Sequence, residues 1–477
     1  MGDDIRDRFR GARTDYTGPV RPSLRPVAQP PSQMFGQQHT APKPAPAPNP
    51  ARSNVAERPS PVAVPKQKRK KRTKKFWSKK KVFLLLPLIL ILAGGGTAAA
   101  FVYKKRLDAK ANKPTTQAFA STTTNKVSQP AGTITLLATG DFSAYDSVNT
   151  SAKTATGYDY SRIMAPLKPV FDKFDIRFCN QATLGGGIGL GVSGYPTFNA
   201  PTEWSKGLED LGCNLINMGT NHTSDKGQEA ITAAVNYYDN HSNILATAGA
   251  NRSAEEQSKI RYFTLKQVKF AYLSYTTSSL KPPSQPFGIN LYNADAAKKQ
   301  VADARKNAQF VIVAMNWGKE DSGDVQPEQE TIAQDLTNAG ADLIIGNGPH
   351  VVQPAKIMNG QDGHQSLVWF SLGNAVNSQL PSDNLFGGIG IVNIDIATQH
   401  MTDPKFLPTY MHYEWTPEQK RKPDLNARTN LMWYPLDTAK DALAKSQNGT
   451  TVEAQTERLK SIITKFAPVT VITSTNL

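Results

Sequence analysis

The chain has 477 residues, with 55 Lys and Arg against 39 Asp and Glu, for a formal charge of +16. Residues 66–81 hold eleven of the basic residues and no acid, and Lys104, Lys105 and Arg106 add three more, which leaves +2 for everything else. The basicity is therefore local: the high isoelectric point says little about the folded part and gives no reason to expect a nucleic-acid partner.

Residues 1–65 contain thirteen prolines, few large apolar side chains and the repeat-like APKPAPAPNP. Such a segment buries too little surface to offset its ordering entropy, so residues 1–81 are expected to form a disordered Pro-rich and basic tail. The next stretch, VFLLLPLILILAGGGTAAAFVY at residues 82–103, carries no charge over 22 positions. At about 1.5 Å per residue it spans roughly 33 Å, the thickness of a bilayer's hydrocarbon core, and it reads as one transmembrane helix. The larger Lys/Arg cluster precedes it, which puts the tail in the cytoplasm and the rest of the chain outside. The Lys-Lys-Arg that follows argues for an uncleaved signal anchor in the cell membrane. Against a membrane span the basic run reads as contact with anionic lipid rather than as a nucleic-acid or nuclear-targeting patch. Residues 104–131, rich in Thr, Ala, Asn and Lys, form a linker.

From residue 132 to 414 the pattern is strand, polar turn, helix. TITLLATGD (133–141), DIRFCN (175–180), NLINMGTNH (214–222), FVIVAMNWG (310–318), ADLIIGN (341–347) and SLVWFSLGN (366–374) each pair an apolar run with a polar end. Amphipathic segments over Lys226–Asp239, Asn293–Asn307 and Pro327–Asn338 predict helices, the last opened by Pro327 and followed by Gly340. Residues 259–276 read as a strand pair broken near Lys266 and Gln267, and residues 388–396 and 404–413 add late strands. A layered α/β sandwich fits this order better than one doubly wound sheet. The two cysteines, Cys179 and Cys213, are placed at opposite ends of parallel strands. Their offset of about five residues, at roughly 3.3 Å each, exceeds disulfide reach, so two buried thiols are expected. Residues 415–477 predict helices over Asp437–Lys445 and Val452–Phe466, with an apolar edge of Ile462, Ile463 and Phe466. Packing back on the domain and binding a partner are both open for them.

Asp141, Asn180, Asn221 with His222, Asn316, Asn347 with His350, and Asn374 all directly follow apolar runs. In an α/β architecture such ends converge on one face and line one cleft. The stretches around them are Gly140-Asp141, Asn180, Asn221-His222-x-x-Asp225-x-Gly227, Trp317-Gly318-x-Glu320, Gly346-x-x-Pro349-His350-Val351-x-Gln353-Pro354 and Ser371-Leu372-Gly373-Asn374. Taken in this order over about residues 133–413, the series resembles the CapA family of bacterial poly-γ-glutamate capsule synthesis. That resemblance implies a calcineurin-like metallophosphatase fold, here a four-layer α/β/β/α sandwich preceded by the tail and the transmembrane helix.

The resemblance also implies a two-metal centre in which cations activate a hydroxide and neutralise developing charge. Position by position it makes Asp141 the first-strand metal ligand, Asn221 the amide ligand, His350 a terminal imidazole ligand and His222 the catalytic proton donor. Asn180, Asn316, Trp317, Glu320 and Asn374 then line the cleft. Three departures cut across this. Asn180-Gln181-Ala182 stands where the family has Asn-Leu-Glu, Asn316-Trp317-Gly318 where it has His-Trp-Gly, and Gly348-Pro349-His350 where it has His-Pro-His. The bridging carboxylate and two imidazoles are lost together, and a neutral amide is a poor sole ligand for a divalent cation. What remains suits at most one divalent metal, Mn, Zn or Fe, and not a two-metal centre.

Every one of these residues has a structural reading as well. Asp141 caps a turn, His222 and His350 satisfy local hydrogen bonds, the asparagines stitch loops, and Glu320 and Asp321 are solvated loop charges. The expectation is an extracytoplasmic CapA-like protein of capsule or cell-surface polymer assembly that binds an anionic polymer in a degraded site. Its further partners would be membrane lipids at the basic flank and other envelope biosynthesis proteins. The alternative is a phosphoesterase-like hydrolase or transferase working with one metal, or with a site rebuilt from Glu320, Asp321 or Asp225.

Overall fold

Alternate residues of the apolar runs face two different cores, and this sorts the domain into layers. The computed structural model describes residues 132–421, 426–446 and 448–477, so the tail, transmembrane and linker expectations (residues 1–131) lie outside the described residues. No helix among the described residues is long and apolar enough to cross a membrane.

The chain starts a first sheet with β1 (Thr133–Phe142), β2 (Ile176–Gln181), β3 (Leu215–Asn217) and β4 (Ala246–Ala248). It then builds a second sheet from β5 (Arg261–Leu265), β6 (Val268–Thr276), β7 (Phe310–Asn316), β8 (Leu343–Asn347), β9 (Val352–Asn359) and β10 (Gln365–Leu372). Finally it returns to the first with β11 (Asn374–Val376), β12 (Phe386–Asp395), β13 (Met401–Glu414), β14 (Thr429–Pro435) and β15 (Thr470–Val471). Among the described residues the first sheet has nine strands in the order β14-β13-β12-β1-β2-β3-β4, with β11 beside β1 and β15 beside β13. The second has six, ordered β5-β6-β7-β8-β10-β9. The middle of each is parallel, β1 to β4 in one and β6, β7, β8 and β10 in the other, with antiparallel strands at the flanks.

One face of the second sheet, with Phe270, Tyr272, Phe310, Ile312, Leu343 and Trp369, joins a single buried cluster with the first sheet. Phe178 of β2 meets Tyr272 edge-on with ring centroids 6.4 Å apart, a contact that spans the two sheets. The opposite face, with Leu273, Val311, Val313, Ile344 and Phe370, packs on helices outside. Of the helices that matter here, α1 (Glu203–Leu211) and α2 (Gly227–Asp239) bury Trp204, Leu208, Ile231 and Tyr238 into the first cluster. Helices α3 (Ala294–Asn307) and α4 (Pro327–Asn338) bury Val301, Ala304, Ile332 and Leu336 into the second. The result is a mixed α/β fold of two sheets with helices on their outer sides.

Local chemistry explains several boundaries. The β5–β6 hairpin turns on Lys266 and Gln267, at φ 47° and 67°, the paired left-handed conformation of a two-residue hairpin that matches strand twist. Helix α4 starts at Pro327, with Gln329 Oε1 accepting from the Gln326 N–H at 2.9 Å. β3 is much shorter than the expected 214–222, because the chain leaves the sheet after Asn217 and residues 218–222 form a loop. The apolar run 366–374 is split at Gly373, whose φ is 71°, so that Asn374 starts β11 in the other sheet. β4, β9 and β14 were not expected. In particular, residues 415–477 supply an edge strand as well as helices: β14 pairs with β13 and seats Trp433 beside Phe142, ring centroids 5.4 Å apart. In the last long helix, α5 (Val452–Ile463), Leu459 and Ile463 are buried, whereas Phe466 is half exposed rather than part of an apolar edge.

The cysteine expectation is overturned. Cys179 and Cys213 form a disulfide, with Cα atoms 5.8 Å apart. The expectation placed Cys213 on its strand and measured the offset along the strand axis. In fact β3 begins only at Leu215, and Cys213 sits in the turn after α1, where Gly212 adopts φ 114°. Asn214 is fastened beside β2, its N–H donating to Arg177 O at 3.0 Å, and the turn before it folds Cys213 toward Cys179. The bridge closes a loop with a sequence separation of 34 that carries α1. Cys213→Ala should therefore lower the unfolding free energy by about 2–4 kcal/mol in denaturant without reductant. Adding reductant should weaken the parent chain by a similar amount and leave the variant unchanged.

Candidate functional site

The parallel strands end in polar residues, and the two sheets bring those ends together. Asp141 closes β1 in register with Asn180 of β2 on one side and Asn374 of β11 on the other. The Asp141 carboxylate is fully buried. Its Oδ1 accepts from Asn180 Nδ2 at 2.5 Å, and its Oδ2 lies 2.9 Å from His350 Nδ1. His350 Nδ1 is also 3.1 Å from Asn374 Oδ1. A buried carboxylate needs this kind of compensation, because removing it from water is expensive. Four of the expected cleft residues thus form one hydrogen-bonded cluster: Asp141, Asn180, His350 and Asn374.

The cluster continues into residues that sequence reasoning missed. Asn180 Oδ1 accepts from Asn217 Nδ2 at 2.7 Å, and Asn217 Oδ1 accepts from Ser274 Oγ of the other sheet. Asn217 lies inside an apolar run that reads as a longer strand. The signal for it was Gly219, which follows two residues later and admits no Cβ against Ser274 Oγ and Gly249.

A second set of expected residues gathers beside the first. Asn221 donates from Nδ2 to Glu320 Oε1 at 3.2 Å, and its N–H donates to Asn316 Oδ1 at 3.2 Å. Thr276 Oγ1 donates to the same Asn316 oxygen at 3.1 Å. Glu320 and Asp321 lie on an exposed loop, yet both are tied to the cleft: Asp321 N–H donates to Pro349 O at 2.9 Å, and Asp321 Oδ1 accepts from Asn384 Nδ2 at 2.7 Å. Asn384 O in turn accepts from Asn374 Nδ2. Trp317 is buried, stacked on Phe370 and donating to Phe370 O at 2.8 Å, so it holds the loop rather than facing the cleft.

His222 is placed differently. Its Nδ1 is 2.8 Å from Asp225 Oδ2, and its ring meets Phe198 edge-on with centroids 4.7 Å apart. The same Asp225 oxygen accepts from the Phe198 N–H at 2.8 Å. No hydrogen bond among the described residues links His222 to the Asp141 cluster.

His350 owes its position to an unusual backbone, with φ 63° in the left-handed region that side chains rarely enter. Two residues earlier Gly348 has φ 108°, and a Cβ there would lie 2.9 Å from Trp317 O and 3.0 Å from Asn316 Nδ2. The turn therefore approaches the end of β7 closely. Burial works against a charged His350, but the Asp141 carboxylate outweighs it, with Glu320 and Asn374 assisting, and the imidazole pKa is raised above its ordinary value of 6.5. Asn347 is in register with Asn316 and fully buried; its Nδ2 and Oδ1 meet no partner among the described residues. No group of three or more His, Cys, Asp or Glu among the described residues comes together as a metal cage.

Residues 135–379 match the family described as bacterial capsule synthesis protein PGA_cap. The chain belongs to that family. All of the candidate site, from Asp141 to Asn374, lies inside the PGA_cap match. Two curated relatives are the capsule biosynthesis protein CapA of Bacillus anthracis, 28% identical over 189 residues (38% of this chain, 44% of that one), and the PGA biosynthesis protein CapA of Bacillus subtilis strain 168, 28% identical over 180 residues (37% and 46%). The chain spans somewhat under half the length of each. Among solved structures it is similar to a phosphatase from Mycoplasma pneumoniae, at 11% identity and TM-score 0.37, covering 58% of this chain and 94% of that one. A hypothetical protein from Thermus thermophilus is similar at 10% identity and TM-score 0.36, covering 58% and 98%.

Two outcomes follow from this geometry. Gly348→His should destabilise the protein by about 3 kcal/mol, since the left-handed backbone and the missing space both oppose a side chain; thermal or denaturant unfolding measures it. His350 binds its proton more tightly folded than unfolded, so its contribution to stability is present below about pH 6.5 and is lost as pH rises through the raised pKa. Asp141→Asn should reverse that pH dependence, because burial alone disfavours the imidazolium, and should cost about 3 kcal/mol at low pH, where His350 would be charged and unpaired.

Proposed function

We propose that the chain is a membrane-anchored, extracytoplasmic component of capsule or cell-surface polymer assembly whose cleft binds an anionic polymer of the poly-γ-glutamate kind. Membership of PGA_cap and the names of the two Bacillus relatives support the process. The Cys179–Cys213 disulfide supports an oxidising compartment for the folded domain, and the uncharged stretch 82–103 supports the anchor. On this reading the basic flank lies against anionic lipid, the Pro-rich tail stays in the cytoplasm, and other envelope biosynthesis proteins are its neighbours.

The observation that carries the binding reading is the commitment of Asp141. Both its oxygens are taken by groups of the protein, Asn180 and His350. A two-metal centre of the metallophosphatase kind needs outward lone pairs from carboxylate, imidazole and amide together. Here Asn180 presents its N–H to Asp141 rather than its oxygen, His350 Nδ1 is turned to the carboxylate, and His222 Nδ1 is taken by Asp225. The donor set does not fit two cations. What it does form is a neutral, amide-rich wall.

A second reading, a phosphoesterase-like hydrolase with one divalent cation, is favoured by Asn347, whose buried amide oxygen, in register with Asn316, has no partner among the described residues. Metal analysis of the purified chain for Mn, Zn and Fe, with assays of phosphoester and γ-glutamyl hydrolysis, separates the two. The binding reading expects well below one equivalent of metal and no turnover that depends on His350. Stoichiometric metal, with turnover abolished by His350→Ala, would overturn it in favour of the hydrolase.

A further inference from the structure

Beside the amide clusters lies a cavity of about 330 Å³, with Tyr145, Tyr195, Glu320, Gln379, Leu380 and Arg428 in its wall. Arg428, which immediately precedes β14, is 3% exposed. Its guanidinium lies over two aromatic rings at the end of β13, 4.6 Å from the centroid of Tyr413 and 5.2 Å from that of Trp415. Stacking of this kind satisfies the faces of the guanidinium and leaves its N–H edges for an acceptor. Among the described residues no acceptor meets Nε or Nη1, and both are buried.

Among the described residues these two N–H groups carry an uncompensated desolvation cost, which an anion placed at Nε and Nη1 would offset. The acids of the same cavity do not supply one. Asp146 Oδ1 accepts from the Gly194 N–H at 2.7 Å, Glu320 from Asn221, and Asp321 from Asn384. Each is committed to an amide of its own. Half-exposed Leu380 and exposed Tyr195 add apolar surface at the rim, which suits methylene groups.

We infer that Arg428 is a specificity-determining residue of the cleft, an aromatic-backed guanidinium that takes a carboxylate of a glutamyl chain while the apolar rim packs its methylenes. The assignment rests on the polymer-binding reading above and adds to it the group that recognises the ligand. A planar guanidinium binds carboxylate through two parallel N–H bonds, which Lys cannot reproduce.

The test measures binding of a γ-linked tetraglutamate, its tetra-amide and poly(glycerol phosphate) to the full-length chain by calorimetry. The expected result is that the parent binds tetraglutamate at least tenfold more tightly than the tetra-amide and than poly(glycerol phosphate). Arg428→Gln should weaken tetraglutamate binding at least tenfold and leave the tetra-amide unchanged, and Arg428→Lys should fall between. If the parent binds tetraglutamate and both variants bind it equally well, the Arg428 assignment fails while the polymer reading stands. No binding of tetraglutamate or of the phosphate polymer by the parent would remove the reading and the assignment together. Preference for poly(glycerol phosphate), lost in Arg428→Gln, would overturn the carboxylate class. Should Arg428→Gln not fold, the acid-against-amide comparison in the parent and the Arg428→Lys variant still decide the matter, since equal binding of acid and amide rejects a carboxylate contact.

Discussion

The site depends on one buried charge. Asp141 is removed from water at the end of β1, and a carboxylate in that position is stable only if other parts of the chain bring it hydrogen bonds and a counter-charge. Its partners come from far apart: Asn180 is 39 residues away and His350 is 209 residues away. Asn180 reaches Asp141 through the pairing of β1 with β2 in one sheet, but His350 follows β8 of the other sheet and reaches it only when the two sheets pack face to face. The cleft is therefore a consequence of the complete fold, and the shared core of Phe178, Tyr272 and Trp369 between the sheets is what holds its two walls in contact.

Such contact requires backbone to approach backbone. At Gly140, just before Asp141, a Cβ would fall 2.1 Å from Gly373 O, while the Asp141 N–H donates to that same carbonyl at 3.0 Å. The glycine lets β1 meet the bend between β10 and β11, which is where the chain crosses from the second sheet back to the first. That crossing delivers Asn374 beside Asp141 and, through Asn384, ties the exposed Asp321 loop to the cluster. The geometry of the cavity that holds Glu320 and Arg428 follows from the same bend.

Much of this was legible in the sequence because apolar runs ending in Asp, Asn or His have a direct physical meaning at the mouth of parallel strands. Asp141, Asn180, His350 and Asn374 were visible on that ground and meet in one cluster. Asn221, Asn316 and Glu320 meet in a second. The failures have the same root, which is that a run of apolar letters does not say where the chain leaves the sheet. Residues 214–222 read as one strand, which hides Asn217 and sets Cys213 on a strand axis it never joins. Arg428 was invisible for a different reason. Its significance lies in what surrounds it, two rings at the end of β13 and a cavity wall built from residues 145 to 384, and no local pattern encodes those neighbours.

Gly348, Asn316 and Ala182 are linked through shared contacts around the loop that carries Asn221. Gly348 lies too close to Asn316 Nδ2 and Trp317 O to admit a side chain. Asn316 uses its oxygen to accept from the Asn221 N–H and Thr276 Oγ1, contacts in which an imidazole nitrogen could serve one donor but not also keep a lone pair for a cation. Ala182 is buried, and its carbonyl accepts from Thr220 Oγ1 at 2.8 Å, which anchors the loop that carries Asn221. A carboxylate at residue 182, whose N–H donates to Phe142 O at 3.0 Å, would add a second buried negative charge at the end of β1. A side chain at residue 348 would clash, and a carboxylate at residue 182 would add a buried charge. Hydrogen bonds within the protein thus run from Asn180 through Asp141, His350 and Asn374 to Asn384, and they join both sheets at one point.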